Sequence, residues 1–140
     1  SDKSFTIDAE HLAIANGAAV LSPQKADHEY IDMTGYSDVF IAINASVAGN
    51  YKLEAVMGPS TYPFANLTPV DAAGPLRGTY ATVGNTIGAL LSDNVEVLVA
   101  DVWNIFAIHE TLASQKLLQF KITNNSGSIS DIQFASLRVV

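Results

Sequence analysis

The sequence of 140 residues contains no cysteine, which excludes disulfide frameworks, thiolate zinc sites and thiol nucleophiles together. Charge is sparse as well. Asp, Glu, Lys and Arg make up 15% of the chain, against about 25% in an ordinary soluble domain. Only seven residues are basic against fourteen acidic, a net charge of −7. That balance excludes a protein whose main task is to grip nucleic-acid phosphates or an anionic membrane. No long apolar run is present either. The stretch Val95 to Ile108 is broken by Glu96, Asp101 and Asn104 and falls short of the roughly 18 apolar residues of a membrane-crossing helix. The first residues, Ser1-Asp2-Lys3-Ser4-Phe5, lack the basic-then-apolar pattern of a signal peptide. Fixed-period repeats and low-complexity blocks are missing, so residues 1 to 140 are expected to form one domain. Hydrophobic residues reach 49%, enough to exclude disorder and to suggest a surface partly covered by neighbours.

What is present is period-two alternation. Val39, Ile41 and Ile43 share one strand face, and Tyr51, Leu53, Ala55 and Met57 share another whose reverse carries Lys52 and Glu54. The turn-like Ser46 to Asn50 between them predicts a hairpin. A second hairpin is predicted at Asn124-Asn125-Ser126-Gly127, with Leu118, Phe120 and Ile122 inward before it and Ile129, Ile132, Phe134 and Leu137 after it. Gln119, Lys121 and Thr123 are expected outward. The apolar end at Val139-Val140 is expected to dock in a sheet. Val95 to Ala100 and Val102 to Glu110 read as one or two further strands. Helix signals are confined to Asn85 to Ser92, weakened by Gly88, and to a single turn at Thr111 to Ser114. Prolines 59, 63, 69 and 75 restrict Gly58 to Pro75 to edge strand or ordered loop. Together these features predict an all-β fold: a two-sheet antiparallel β-sandwich, jelly-roll-like, with at most one or two short helices.

Catalytic and ligand-binding signatures are not found. The histidines, His11, His28 and His109, are far apart. Asp8 to His11 and Asp27 to Glu29 gather oxygen and nitrogen ligands locally, but alternation sends Asp27 and Glu29 to one side of a strand and His28 to the other. Both clusters read as solvated surface, so no metal is expected. The chain lacks the Gly-x-Ser-x-Gly elbow and the glycine-rich phosphate loops, so no cofactor and no catalytic residue is assigned. Glu54 and Glu110 are the two acids with apolar neighbours in sequence; alternation predicts both outward on strands. Among the aromatics, Tyr51, Tyr62, Phe64, Tyr80 and Trp103 are candidates for contact with a glycan or a protein. Trp103 and Phe120 are expected to be buried, Trp103 in the core or at a subunit interface. Tyr62 and Phe64, flanked by Pro59 and Pro63, are better placed for exposed contacts, and Tyr62, Phe64, Tyr80 and Trp103 are the candidate partner-binding residues.

Three stretches carry a resemblance: Tyr51 to Pro59; Asp101-Val102-Trp103-Asn104-Ile105-Phe106; and Leu118 to Gly127 with the closing Phe134-Ala135-Ser136-Leu137-Arg138. Their layout resembles small cysteine-free virion proteins of tailed bacteriophages, in particular head decoration or cement proteins and related structural proteins of cyanophages. The resemblance implies a non-enzymatic β-rich subunit, made in the host cytoplasm, that sits on the capsid exterior. It further implies that this subunit, often a trimer, reinforces contacts of the major capsid protein without nucleic acid or membrane. An extended N-terminal arm over Ser1 to Asp8 is a further implication. The alternative is a glycan-binding or host-surface-binding β-sandwich module using the exposed aromatics. An enzyme built on Glu54 and Glu110 ranks third.

Overall fold

A computed structural model of the chain describes residues 3–24, 30–57, 68–69, 80–83, 86–90, 95–108 and 117–140. The described elements are strands: β1 (Lys3–Ile14), β2 (Ala19–Ser22), β3 (Ile31–Asp32), β4 (Asp38–Ala45), β5 (Gly49–Met57), β6 (Thr68–Pro69), β7 (Tyr80–Val83), β8 (Thr86–Leu90), β9 (Val95–Leu98), β10 (Asn104–Ala107), β11 (Leu117–Asn125) and β12 (Ser130–Val139). They form two antiparallel sheets. The first has the order β1-β12-β4-β10-β7-β8; in the second, β2 and β3 follow one another along one side of β11, and β9 and β6 along the far side of β5.

With the short extensions set aside, the sheets read β1-β12-β4-β10 and β2-β11-β5-β9. This is a jelly roll, the two-sheet answer to strands that each hide one face. Each strand of the first sheet is joined in the chain to its counterpart in the second: β1 to β2, β4 to β5, β9 to β10 and β11 to β12. The four joining arches therefore lie side by side at one end of the sandwich.

Both predicted hairpins are consequently arches. β4 pairs with β12 over its whole length and β5 pairs with β11, so β4 and β5 lie in different sheets, as do β11 and β12. Alternation fits either arrangement, because a turn that carries the chain over the core also faces one apolar side toward the other. Long-range pairing decides between them. The segment Val95 to Glu110 is likewise divided: β9 joins the second sheet and β10 the first, turning at Asp101, whose φ is 60°. The stretch expected to be helical at Asn85 to Ser92 contains β8 instead; Gly88 disfavours a helix, and pairing with β7 supplies the backbone partners. Thr111 to Ser114 lies outside the described residues. Pro69 sits in a two-residue edge strand, where a missing N–H costs least. Residues 3–8, expected as an extended arm, form the first part of β1 and lie along β12.

The core is the space between the sheets. Val39, Ile41, Ile43, Ala45, Ile132, Phe134 and Phe106 come from the first sheet, and Ile31, Tyr51, Leu53, Leu98, Leu118, Phe120 and Ile122 from the second; all are buried. Phe120 and Phe134 meet across it with ring centroids 5.9 Å apart and planes tilted by 35°. The inward faces read from alternation are the observed ones at Val39, Ile41 and Ile43, at Tyr51 and Leu53, at Leu118, Phe120 and Ile122, and at Ile132 and Phe134. Ile129 departs from expectation and is exposed, because it lies in the β11–β12 arch and not on a strand. The outward side of the second sheet departs from expectation, because Glu54 and Gln119 are both buried. Gln119 Nε2 donates to the carbonyl of Pro23 at 3.2 Å, and Lys52 Nζ lies 3.7 Å from Glu54 Oε1. Glu54 and the Gln119 amide nitrogen thus gain a partner, whereas Gln119 Oε1 is buried without one.

Candidate functional site

The arch end is tied together by side chains that replace missing sheet hydrogen bonds. Asn124 is fully buried, and its amide donates to the carbonyls of Ile14 and Ser128, both at 2.8 Å. Its Oδ1 accepts from the Ser126 amide at 3.0 Å and the Ser126 hydroxyl at 2.7 Å. One residue thereby holds two neighbouring arches. Tyr51, also buried, places its hydroxyl 2.7 Å from the Val47 carbonyl and 2.8 Å from Ser130 Oγ. Ser46 and Asp131 exchange hydrogen bonds of 2.9 and 2.8 Å between two arches. Asn104 closes the β9–β10 arch: its amide lies within 3.0–3.1 Å of the carbonyls of Ile43, Val99 and Val102, and its Oδ1 accepts from the Val99 amide at 3.1 Å. Asp101 N donates to the Ala45 carbonyl at 2.8 Å. Such a network makes the end rigid rather than adaptable.

On this framework stands apolar surface. Among the described residues seven large hydrophobic side chains are exposed, and five of them, Leu12, Val97, Val99, Val102 and Ile129, lie in the arches or on strands within three residues of them. Val97 is 76% exposed, an unusual position for a valine on a short strand. Trp103 is half-buried in the same β9–β10 arch. The exposed charges of the arches are carboxylates, Asp101 and Asp131. Asp131 accepts from the Ala13 amide at 2.8 Å through Oδ1. The nearest described cation on the adjoining sheet face is Lys52, next to Glu54.

The opposite end holds a polar cavity of about 240 Å³ lined by Thr6, Asp8, Tyr30, Ile31, Asp32, Ser136 and Arg138. Asp8 occupies a register shift in β1, where Ile7 pairs with Ala135 and Ala9 with Phe134. A bulge turns the extra side chain inward, and Asp8, buried, accepts a hydrogen bond from Ser136. An inward-pointing charge and a bulge on an edge strand also discourage pairing with foreign strands. Arg138 crosses between the sheets, donating to the Asp32 carbonyl at 2.7 Å with its guanidinium 4.7 Å from the centre of the Tyr36 ring. Nearer the arches, His11 Nε2 lies 2.9 Å from Ser22 Oγ, and burial holds this imidazole below its ordinary pKa.

The candidate residues are distributed unevenly over this frame. Trp103 reaches the arch end; it is half-buried rather than fully buried and lies outside the core, so of its two expected places, core or subunit interface, the core is excluded, because its arch crosses the rim of the sandwich. Tyr51 is core and is removed from the exposed aromatics. The backbone of Tyr80 pairs with Ala107 and Leu90, on the β7–β8 side of the first sheet. Tyr62, Phe64, Glu110, His28 and His109 lie outside the described residues. Glu54 is buried beside Lys52 rather than exposed. Among the described residues no group of three or more His, Asp or Glu side chains is arranged to hold a metal ion. Sequence reasoning missed the exposed valines, although the signal was there: Leu98 in the core puts Val97 and Val99 on the opposite face of the same strand.

No family model matches the chain, and no curated protein matches it. Among solved structures it is similar to the SPBc2 prophage-derived protein YomS, with a TM-score of 0.52, 11% identity, and coverage of 99% of this chain and 94% of that one. At this identity the likeness is one of fold, shared over nearly the full length of both chains.

Proposed function

We propose that the protein is a non-enzymatic virion structural protein that binds the outer surface of a phage capsid and stabilises it. In this reading the major capsid protein is its partner and further copies of the chain, as a trimer, its neighbours. The observation that carries the proposal is the arch end. It is an apolar surface on a hydrogen-bonded frame, in a chain with little charge to keep such a surface apart from partners. A phage setting is supported by the resemblance of the three sequence stretches and by the fold shared with a prophage-derived protein. The fold itself does not choose a function, since jelly rolls serve viral capsid and lectin domains alike. Binding without chemistry needs only complementary surface, about 800 Å² per partner, and many copies on one particle add avidity.

The test is co-sedimentation of the purified protein with expanded heads that lack it. Saturable binding at a fixed ratio to the major capsid protein, followed by rupture of the heads at a higher temperature, is the expected result. Heads that neither bind the protein nor gain heat resistance would overturn the proposal and turn attention to glycan recognition.

A further inference from the structure

Resting on that reading, the geometry points to the arch end as the face that meets the capsid, and to a partner surface with an apolar centre rimmed by lysine or arginine. Three observations combine. Val97, Val99 and Val102 stand exposed on one arch and its strand, with Ile129 exposed on the β11–β12 arch and Leu12 near the end of β1. The loop that carries them is set by Asn104, which binds the backbone of Ile43, Val99 and Val102, so the patch is formed before binding and little ordering entropy opposes association. The exposed charges at the arch end, Asp101 and Asp131, have one sign, and the cation on the sheet face that Val97 shares, Lys52, lies 3.7 Å from Glu54.

The sign of those charges selects the occupant. A second copy docked through the same end would gather the Asp101 and Asp131 carboxylates of both copies in one interface with no basic group of that end, among the described residues, to meet them, and like charges brought together across an interface are unfavourable. A partner with basic groups around an apolar centre satisfies both parts of the surface. The net charge of −7 acts in the same direction at longer range. Contacts among copies of this chain then belong to other faces, such as the sheet edges.

The experiment uses the full chain and the same expanded heads. Val97→Thr, Val99→Thr and Val102→Thr together remove the apolar centre while keeping β-branched side chains on their strand and arch. Asp101→Asn with Asp131→Asn removes the rim charge but keeps the Oδ1 acceptor for Ala13, and asparagine tolerates the positive φ at position 101. The triple variant is expected to weaken head binding by at least about tenfold. The double variant is expected to weaken it less and to flatten its dependence on salt. Ile7→Thr with Val140→Thr, which removes the other two exposed hydrophobics, is expected to bind like the unaltered protein. Melting temperatures of all variants report that the fold is intact.

Unchanged binding by the triple variant would overturn this assignment while leaving the capsid role standing. Sedimentation showing dimers that the triple variant dissolves would assign the patch to a second copy and overturn it as well. Heads that do not bind the unaltered protein would remove the capsid role and this face assignment together.

Discussion

Gly49 lies against Ser126 so closely that a Cβ built on the glycine would stand 3.0 Å from both the Cα and the Cβ of the serine. The contact joins the β4–β5 arch to the β11–β12 arch, and a side chain at position 49 would have to push Ser126 away. Gly49 also has a φ of +143°, a conformation that side-chain-bearing residues seldom adopt. Gly49→Ala therefore meets backbone strain and a clash with atoms of the main chain together. We expect a loss of about 1–3 kcal/mol, read as a lower urea midpoint with an unchanged slope.

Asn124 is the polar counterpart of that contact. Replacing it by alanine leaves the carbonyl of Ile14 and the amide of Ser126, both part-buried, without this partner and removes one of the two donors to the Ser128 carbonyl. A cost of about 1–3 kcal/mol follows. At about 4 °C per kcal/mol for a domain of this size, the change is easily read in a thermal melt. Asn124→Asp preserves the shape and the bonds at Oδ1 but aims a carboxylate oxygen at two carbonyls. It is expected to be no better than alanine.

Phe120→Ala tests the faces of β11. The ring is fully buried and packed against Phe134, and deletion of a large core aromatic costs about 3–5 kcal/mol. An unchanged melt would mean that β11 is turned by one residue, which exchanges the two faces of a strand.

Acid should weaken the fold through His11. Burial lowers its pKa in the folded chain, so the unfolded chain binds its proton first as pH falls. Stability attributable to this site is present above the unfolded value, about 6.5, and declines as pH drops through it toward the lower folded value. His11→Gln is expected to lose less stability than the unaltered protein between about pH 7.5 and pH 5.5. Parallel losses would mean that other groups govern the acid limb. Because His11 is only half-buried, the difference is expected to be modest.

The strands were legible because their signal is local. Val39, Ile41 and Ile43, and Leu118, Phe120 and Ile122, alternate with polar residues, and a sheet with one hidden face requires that spacing. Turn residues such as Asn125, Ser126 and Gly127 mark where the chain reverses, and Gly127 takes a φ of +92° there. Sheet membership was not legible, since both a hairpin and an arch satisfy the same alternation. Glu54 and Gln119 show a similar limit. Their positions put them on the reverse face of a sheet, and alternation has no means of telling whether other parts of the chain cover that face.

The candidate site divides along the same line. Trp103, Val99 and Val102 could be singled out as apolar residues near turns, but that their arch shares one end of the sandwich with the arch of Ile129 depends on how strands far apart in sequence pair. Composition and alternation by themselves determined that this chain is all-β, cysteine-free, acidic and able to bury a core, because each of these depends on residue types and their neighbours one or two places away. Only the tertiary structure decided that the turns are arches, that they stack at one end through Gly49, Tyr51, Asn104 and Asn124, and that a patch of valines remains outside. Those outcomes depend on which distant backbone supplies each hydrogen-bond partner, a choice made by the whole chain at once.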